Sequence, residues 1–289
     1  MRKSLFRAAF PITTVIAAAV VAAIVPSAEA APVYRKYVAL GDSYVAIASL
    51  LTVQGTPGCF RSTDNYPSNV ARSIGAKLDD RSCSSATTEH MTKPQSPTPF
   101  GTNAPQLDGV TADTDLVSLT IGGNDLGFES IIGTCGVLTL TDPIGNPCQR
   151  ANSTPSGDKL AAKIAELRPK IGAVLDGIRQ RAPRAKIVVV GYLPLLPPTT
   201  GCFPVTPLAA GDIAYLYGMQ RQLNAMLAGE ASVRGAVAVD PSGIAGHDVC
   251  QLPWNRWVEP ILPASPTTPF HPNVAGQRGL AERVVAALG

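Results

Sequence analysis

Beyond residue 30 the chain has no apolar run approaching the ~20 residues that a membrane-spanning helix needs, so no internal anchor is expected. CxxC and HxxxH spacings are missing, which argues against a zinc site. There is no Gly-x-Ser-x-Gly, and hence no sign of the strained elbow that presents the serine of α/β-hydrolases. Neither a basic patch nor an acidic tail occurs, which leaves nucleic acid without a surface to bind. No internal repeat or low-complexity linker divides the chain, so one domain is expected. Histidine is scarce, with three in 289 residues, and that narrows any search for a general base.

What is present begins with a basic start at Arg2, Lys3 and Arg7, followed by an apolar stretch over residues 8–25. Ala28-Glu29-Ala30 then supplies a small-x-small cleavage signal. This pattern predicts a signal peptide over residues 1–30, cleaved after about Ala30, and a secreted product. A retained membrane anchor is the rival reading; Pro11, two threonines and the cleavage site weigh against it. Of 24 basic and 21 acidic residues, the leader holds three basic ones and Glu29, leaving 21 and 20, close to neutral. Residues 31–289 are enough for one substantial core.

Six cysteines (Cys59, Cys83, Cys135, Cys148, Cys202 and Cys250) form an even set in a chain read as exported, so disulfides are expected. Several pairings are possible. Sequential pairing is preferred because it closes three modest loops without crossing elements.

Apolar, β-branched runs at 37–41, 115–121, 186–191 and 236–240 read as buried parallel strands. Helical spacing appears over 66–78, 158–181, 211–230 and 274–288, with Pro183 closing the second. Alternating strands and helices imply a parallel sheet covered on both faces. Ligands in such sheets bind beyond the carboxyl ends of the strands. Ser43 and Asn124 both fall just past a strand end. Residues 92–109, 133–157, 194–210 and 251–270 are rich in Pro, Gly and Thr and read as site-shaping loops.

A serine hydroxyl becomes a useful nucleophile when a base takes its proton, and imidazole is the usual base near neutrality. The candidates are His90, His247 and His271, with His271 favoured because it lies in a loop just before the last helix. Asn124, beside Gly122 and Gly123, offers an amide donor for an oxyanion, although a Gly-Asn-Asp turn needs no catalysis to explain it. Asp42 and Asp125 read as turn braces rather than proton carriers, and Trp254 and Trp257 as packing residues rather than sugar platforms.

Gly41-Asp42-Ser43-Tyr44, Ser84-Ser85-Ala86-Thr87-Thr88, Gly122-Gly123-Asn124-Asp125 and His271-Pro272 together resemble the four blocks of the SGNH (GDSL-like) hydrolases. The six-cysteine layout further resembles the secreted esterases and lipases of actinomycetes. The resemblance covers roughly residues 37–289. It implies an α/β fold, a three-layer α/β/α sandwich with a flavodoxin-like parallel sheet. It also implies Ser43 as nucleophile, His271 as base, and oxyanion donors at the Ser43 and Ser85 backbone N–H and the Asn124 side chain. No cofactor or metal is implied.

Three positions depart from that pattern. Ser85 stands where glycine is usual, so a positive φ there would carry strain. Ile47 replaces a glycine, and residues 45–53 are consequently apolar, fit either to line an acyl pocket or to join the core. Thr268 stands where an aspartate would orient the histidine, and no carboxylate lies nearer upstream than Glu259. The Thr268 carbonyl is therefore expected to orient the imidazole, with Asp240 as a remote alternative. The expected activity is hydrolysis of small-molecule or lipid acyl esters by a monomer that touches lipid surfaces transiently. The alternatives are a polysaccharide acetylesterase and a non-catalytic exported protein that binds a lipid or glycan.

Overall fold

The computed structural model describes residues 34–96 and 101–289. Its centre is a five-stranded parallel sheet. In chain order the strands are β1 (Lys36–Gly41), β2 (Lys77–Asp80), β3 (Leu116–Thr120), β4 (Lys186–Val190) and β5 (Val237–Val239). They lie in the order β2-β1-β3-β4-β5, the flavodoxin-like order, in which the switch point falls between β1 and β3. Four strands coincide with the apolar runs. The fifth, β2, reads Lys-Leu-Asp-Asp; it is an edge strand with no face buried deeply enough to demand an apolar run.

The helices are α1 (Ser43–Ala46), α2 (Tyr66–Ile74), α3 (Gly123–Leu126), α4 (Phe128–Thr139), α5 (Pro147–Asn152), α6 (Lys159–Arg181), α7 (Ile213–Val233) and α8 (Val274–Leu288). Strand side chains alternate between two cores. Val38, Leu40, Val117 and Leu119 face α6 and α7, meeting Ile171, Leu175 and Leu227. Tyr37, Ala39, Leu116 and Val188 face α2 and α8, meeting Val70 and Val284. The sandwich has three layers because both sheet faces are apolar, each fully buried side chain adding roughly 1.5–3 kcal/mol.

Two expectations about the helices are corrected. The helix predicted over 66–78 stops at Ile74, because Gly75 takes a left-handed conformation (φ 69°) and caps it. Part of the predicted loop 133–157 is instead α4 and α5. The α4 sequence carries two glycines and no clean polar face, so its periodicity is weak.

The cysteines pair as Cys59–Cys83, Cys135–Cys148 and Cys202–Cys250. Each closure restricts the unfolded chain, a contribution of roughly 2–4 kcal/mol.

Candidate active site

β1 delivers the chain to Gly41 and α1 begins at Ser43. Asp42 caps that turn, its carboxylate accepting the Tyr44 N–H at 3.0 Å. The backbone of Gly41 is clamped on both sides by one buried amide. Its N–H donates to Gln106 Oε1 at 2.7 Å, and its carbonyl accepts from Gln106 Nε2 at 2.9 Å. A second buried amide, Gln277, donates to the Tyr44 and Ile47 carbonyls at 2.8 and 2.7 Å, tying α1 to α8. Ser43 is thus held between rigid elements and stays 8% exposed.

His271 Nε2 lies 2.7 Å from Ser43 Oγ, and its Nδ1 lies 2.7 Å from the Pro269 carbonyl. A carbonyl can only accept, so Nδ1 carries the proton and Nε2 is left to accept the serine O–H. Burial pushes the His271 pKa below its ordinary value, which favours the neutral imidazole that can accept a proton.

The expectation for Thr268 is corrected here. Its carbonyl accepts the backbone N–H of His271 at 3.3 Å, while the Pro269 carbonyl faces the ring. Phe270, at φ 61°, bends the chain between them and brings the nearer carbonyl to Nδ1. No carboxylate hydrogen-bonds the ring among the described residues. Asp240 caps a short turn through the Ser242 N–H. Glu259 is buried and accepts from Asn273, Ser265 and the Ala264 N–H. Burial would raise the Glu259 pKa, but these donors outweigh it and the group lies below the usual range. Glu259 therefore organises the loop that carries His271, and Asn273 in turn caps α8.

Asn124 lines the same cleft as Ser43 and His271. Its Nδ2 donates to the Ala86 carbonyl at 2.8 Å, which leaves its second N–H free for another acceptor. Gly122 and Gly123 permit close approach: a Cβ on the first would sit 2.8 Å from Leu167 and on the second 3.2 Å from the Tyr192 hydroxyl. The Gly123 N–H donates to Tyr192 Oη at 2.8 Å, and that hydroxyl donates to Asp42 at 2.6 Å. Burial pushes the Asp42 carboxyl up to about 7 despite these donors. Asp125 accepts from Thr88 N–H and Oγ1, joining the Asn124 turn to the Ser84–Thr88 segment.

Ser85 adopts φ 62°, the left-handed conformation that glycine takes freely. Ser85 itself is exposed. Its segment is pinned by the Cys59–Cys83 disulfide, by Ser84 N–H to the Cys59 carbonyl at 3.0 Å, and by Gln95 Nε2 to the Ser84 carbonyl at 2.7 Å. Among the described residues neither the Ser43 nor the Ser85 backbone N–H has a hydrogen-bond partner.

The cleft encloses about 100 Å³ and runs from Ser43 between α4, α6 and α7, where Phe128, Ile131, Ile164, Leu196 and Met219 line it. A second cleft, of about 500 Å³, opens on the other side of His271 toward Val137, Leu140 and Ile261. Phe128, Glu129, Ile132 and His271 line both. Residues 45–53 line neither: Val45 and Ile47 are buried in the core, and Leu51 is 80% exposed.

The other two histidines are placed elsewhere. His90 bonds the Thr87 N–H within a short helix cap, and His247 stacks on Trp257 at 4.2 Å. Trp257 packs over Gly279, whereas Trp254 is 76% exposed. Sequence reasoning missed Gln106, Gln277 and Tyr192. Only Tyr192 carried a signal, a polar residue just beyond the end of β4.

Residues 39–278 match the model of the GDSL-like lipase/acylhydrolase family. "Lipase 2" of Streptomyces coelicolor is 42% identical over 260 residues, covering 88% of this chain and 85% of that protein. The extracellular lipase of Streptomyces rimosus, a solved structure, superposes with a TM-score of 0.70 at 28% identity, over 88% of this chain and 99% of that one. Phospholipase A1 of Streptomyces albidoflavus shares the fold, with a TM-score of 0.69 at 24% identity over 88% of this chain and 99% of that one. The chain belongs to the GDSL-like lipase/acylhydrolase family and is a carboxylic ester hydrolase.

Proposed function

We propose that the protein is a secreted esterase or lipase that cleaves acyl esters through a Ser43–His271 dyad. The observation that carries this reading is the 2.7 Å contact between His271 Nε2 and Ser43 Oγ, at the mouth of an apolar cleft. Ser43 Oγ attacks the acyl carbonyl while Nε2 takes its proton. The Ser43 and Ser85 N–H groups and the free N–H of Asn124 receive the oxyanion. Collapse expels the alcohol, to which His271 returns the proton, and water then releases the acid from the acyl-enzyme. The Pro269 carbonyl orients the imidazole in the absence of an aspartate.

The acyl chain occupies the cleft between α4, α6 and α7, and the alcohol departs toward the second cleft. Exposed apolar residues that line it, Val137, Leu140 and Ile261, together with exposed Leu262, suit transient contact with a lipid surface. Residues 1–30 direct export as a signal peptide, residues 31–289 form the hydrolase domain, and the protein acts as a monomer. The leader pattern and three disulfides support the extracellular assignment.

Hydrolysis of p-nitrophenyl esters from acetyl to palmitoyl, together with fluorophosphonate labelling, tests this. Labelling at Ser43 and a rise in kcat/KM with chain length beyond acetyl are expected, because the cleft walls are apolar. Turnover of acetyl esters alone would instead favour a polysaccharide acetylesterase. Asn124→Ala should lower kcat by about 10²–10³-fold with KM little changed, the effect of removing one oxyanion donor. Parallel losses in kcat and binding, or a loss under tenfold, would remove Asn124 from the oxyanion site.

A further inference from the structure

A dyad leaves one electrostatic problem unsolved. As Ser43 attacks, His271 becomes an imidazolium cation in surroundings where it is 9% exposed, with only the Pro269 carbonyl at Nδ1. A cation developing among apolar walls is costly without a countercharge. The carboxylates near it in sequence do not serve: Glu259 is consumed by Asn273, Ser265 and Ala264.

Glu129 is different. It lies in the first turn of α4, lines both clefts where they meet at His271, and has no ion-pair or hydrogen-bond partner among the described residues. The remaining charged or titratable groups around the first cleft are Asp42 behind Ser43, Tyr44 on α1, Tyr192 after β4 and Lys163 on α6. Asp42 is occupied by the Tyr44 N–H and the Tyr192 hydroxyl. The Tyr44 hydroxyl donates to the Phe270 carbonyl, and Lys163 donates to the Leu126 carbonyl. Glu129 is the uncommitted negative charge of this group.

We propose that Glu129 is the countercharge of the His271 imidazolium, a positioning residue that does from α4 what an aspartate near the histidine would do from its own loop. The inference rests on the dyad reading of Ser43 and His271. The field of Glu129 acts to raise the His271 pKa, opposing the lowering by burial. The sign of the pH effect follows. The base works when neutral, so activity falls as pH drops through its pKa, which lies below 6.5. Removing Glu129 moves that limb to still lower pH, while plateau kcat falls because the imidazolium is less stabilised.

The test compares wild type with Glu129→Gln and Glu129→Asp on neutral p-nitrophenyl esters across pH, at low and high salt. The Gln variant should lose roughly 3- to 10-fold in kcat with KM within about 2-fold, and its acid limb should shift down by roughly half a unit. The Asp variant should keep most of the activity. Because Glu129 is exposed, salt should erode the wild-type advantage and leave the Gln variant unaffected. Unfolding is not at risk at an exposed position, and matching Tm values verify that. A Gln variant with wild-type kcat, or one whose kcat falls with an unmoved acid limb, overturns the proposal. Ser43→Ala and His271→Ala run alongside: if they stay active the dyad itself fails, and if they are dead only the countercharge is in question.

Discussion

Ser43→Ala and His271→Ala are each expected to reduce kcat/KM by roughly 10⁴–10⁶-fold while leaving the fold intact. The Ser43 change removes one oxygen at a site that is 8% exposed, and the contacts that place α1 come from Asp42, Gln106 and Gln277 instead. In the His271 variant, Glu259 still receives Asn273 and Ser265, so the loop keeps its path. The double variant should be no worse than either single one, because the two groups act as a unit. Any residual activity is expected to come from the proposed oxyanion donors. Kinetics on p-nitrophenyl esters, with Tm and thiol titration to verify fold and oxidation, decide the matter. A His271→Ala enzyme within tenfold of wild type would transfer the role of base elsewhere.

The largest effect on stability is expected from Gly41→Ala. A Cβ at that position would lie closer than 3.0 Å to both Val45 and the Thr120 carbonyl, with the backbone at φ 152°. Thr120 cannot retreat, since it is paired with Gly41 in the sheet and its carbonyl accepts the Asp42 N–H at 3.1 Å. Nor can Gly41 move, because Gln106 holds both its N–H and its carbonyl. Relief must come from shifting the end of β1, the strand that aims Ser43. A loss of about 3 kcal/mol or more is expected, equivalent to a fall in Tm of roughly 6–12 °C for a domain of this size. Activity should fall further than stability accounts for, because Ser43 Oγ leaves the reach of His271 Nε2. Thermal unfolding beside kcat measured well below Tm separates the two effects. A variant with Tm within about 2 °C of wild type would show that the crowding is relieved without moving β1.

The parts of the fold that could be read from the chain are those governed by local periodicity. The runs at 37–41 and 186–191 must be strands buried on both faces, because their side chains alternate between the α6/α7 core and the α2/α8 core. Lys-Leu-Asp-Asp in β2 could not be read that way, since an edge strand is recruited by its neighbour β1 rather than by its own composition. Likewise α4 is helical because the Cys135–Cys148 link and the cleft packing hold it there, not because its sequence is amphipathic.

The site divides along the same line. The residue types able to do the chemistry, the blocks around Ser43, Asn124 and His271, and the scarcity of histidine were all legible in one dimension, because chemistry is a property of side chains. Which carbonyl meets Nδ1 was not: a single left-handed residue, Phe270, exchanges Pro269 for Thr268. Sequence could not tell whether residues 45–53 lined a pocket or the core either, since apolar character suits both and only the path of α1 beneath α8 decides. Gln106 and Gln277 carried no signal at all, because a buried amide is useful only through partners distant in sequence. The sequence alone determined four of the five strands, the longer helices, the candidate reactive groups and the resemblance to the family. The tertiary structure decided which groups touch, because hydrogen bonds and electrostatic contacts depend on distances that the chain acquires only when it is packed.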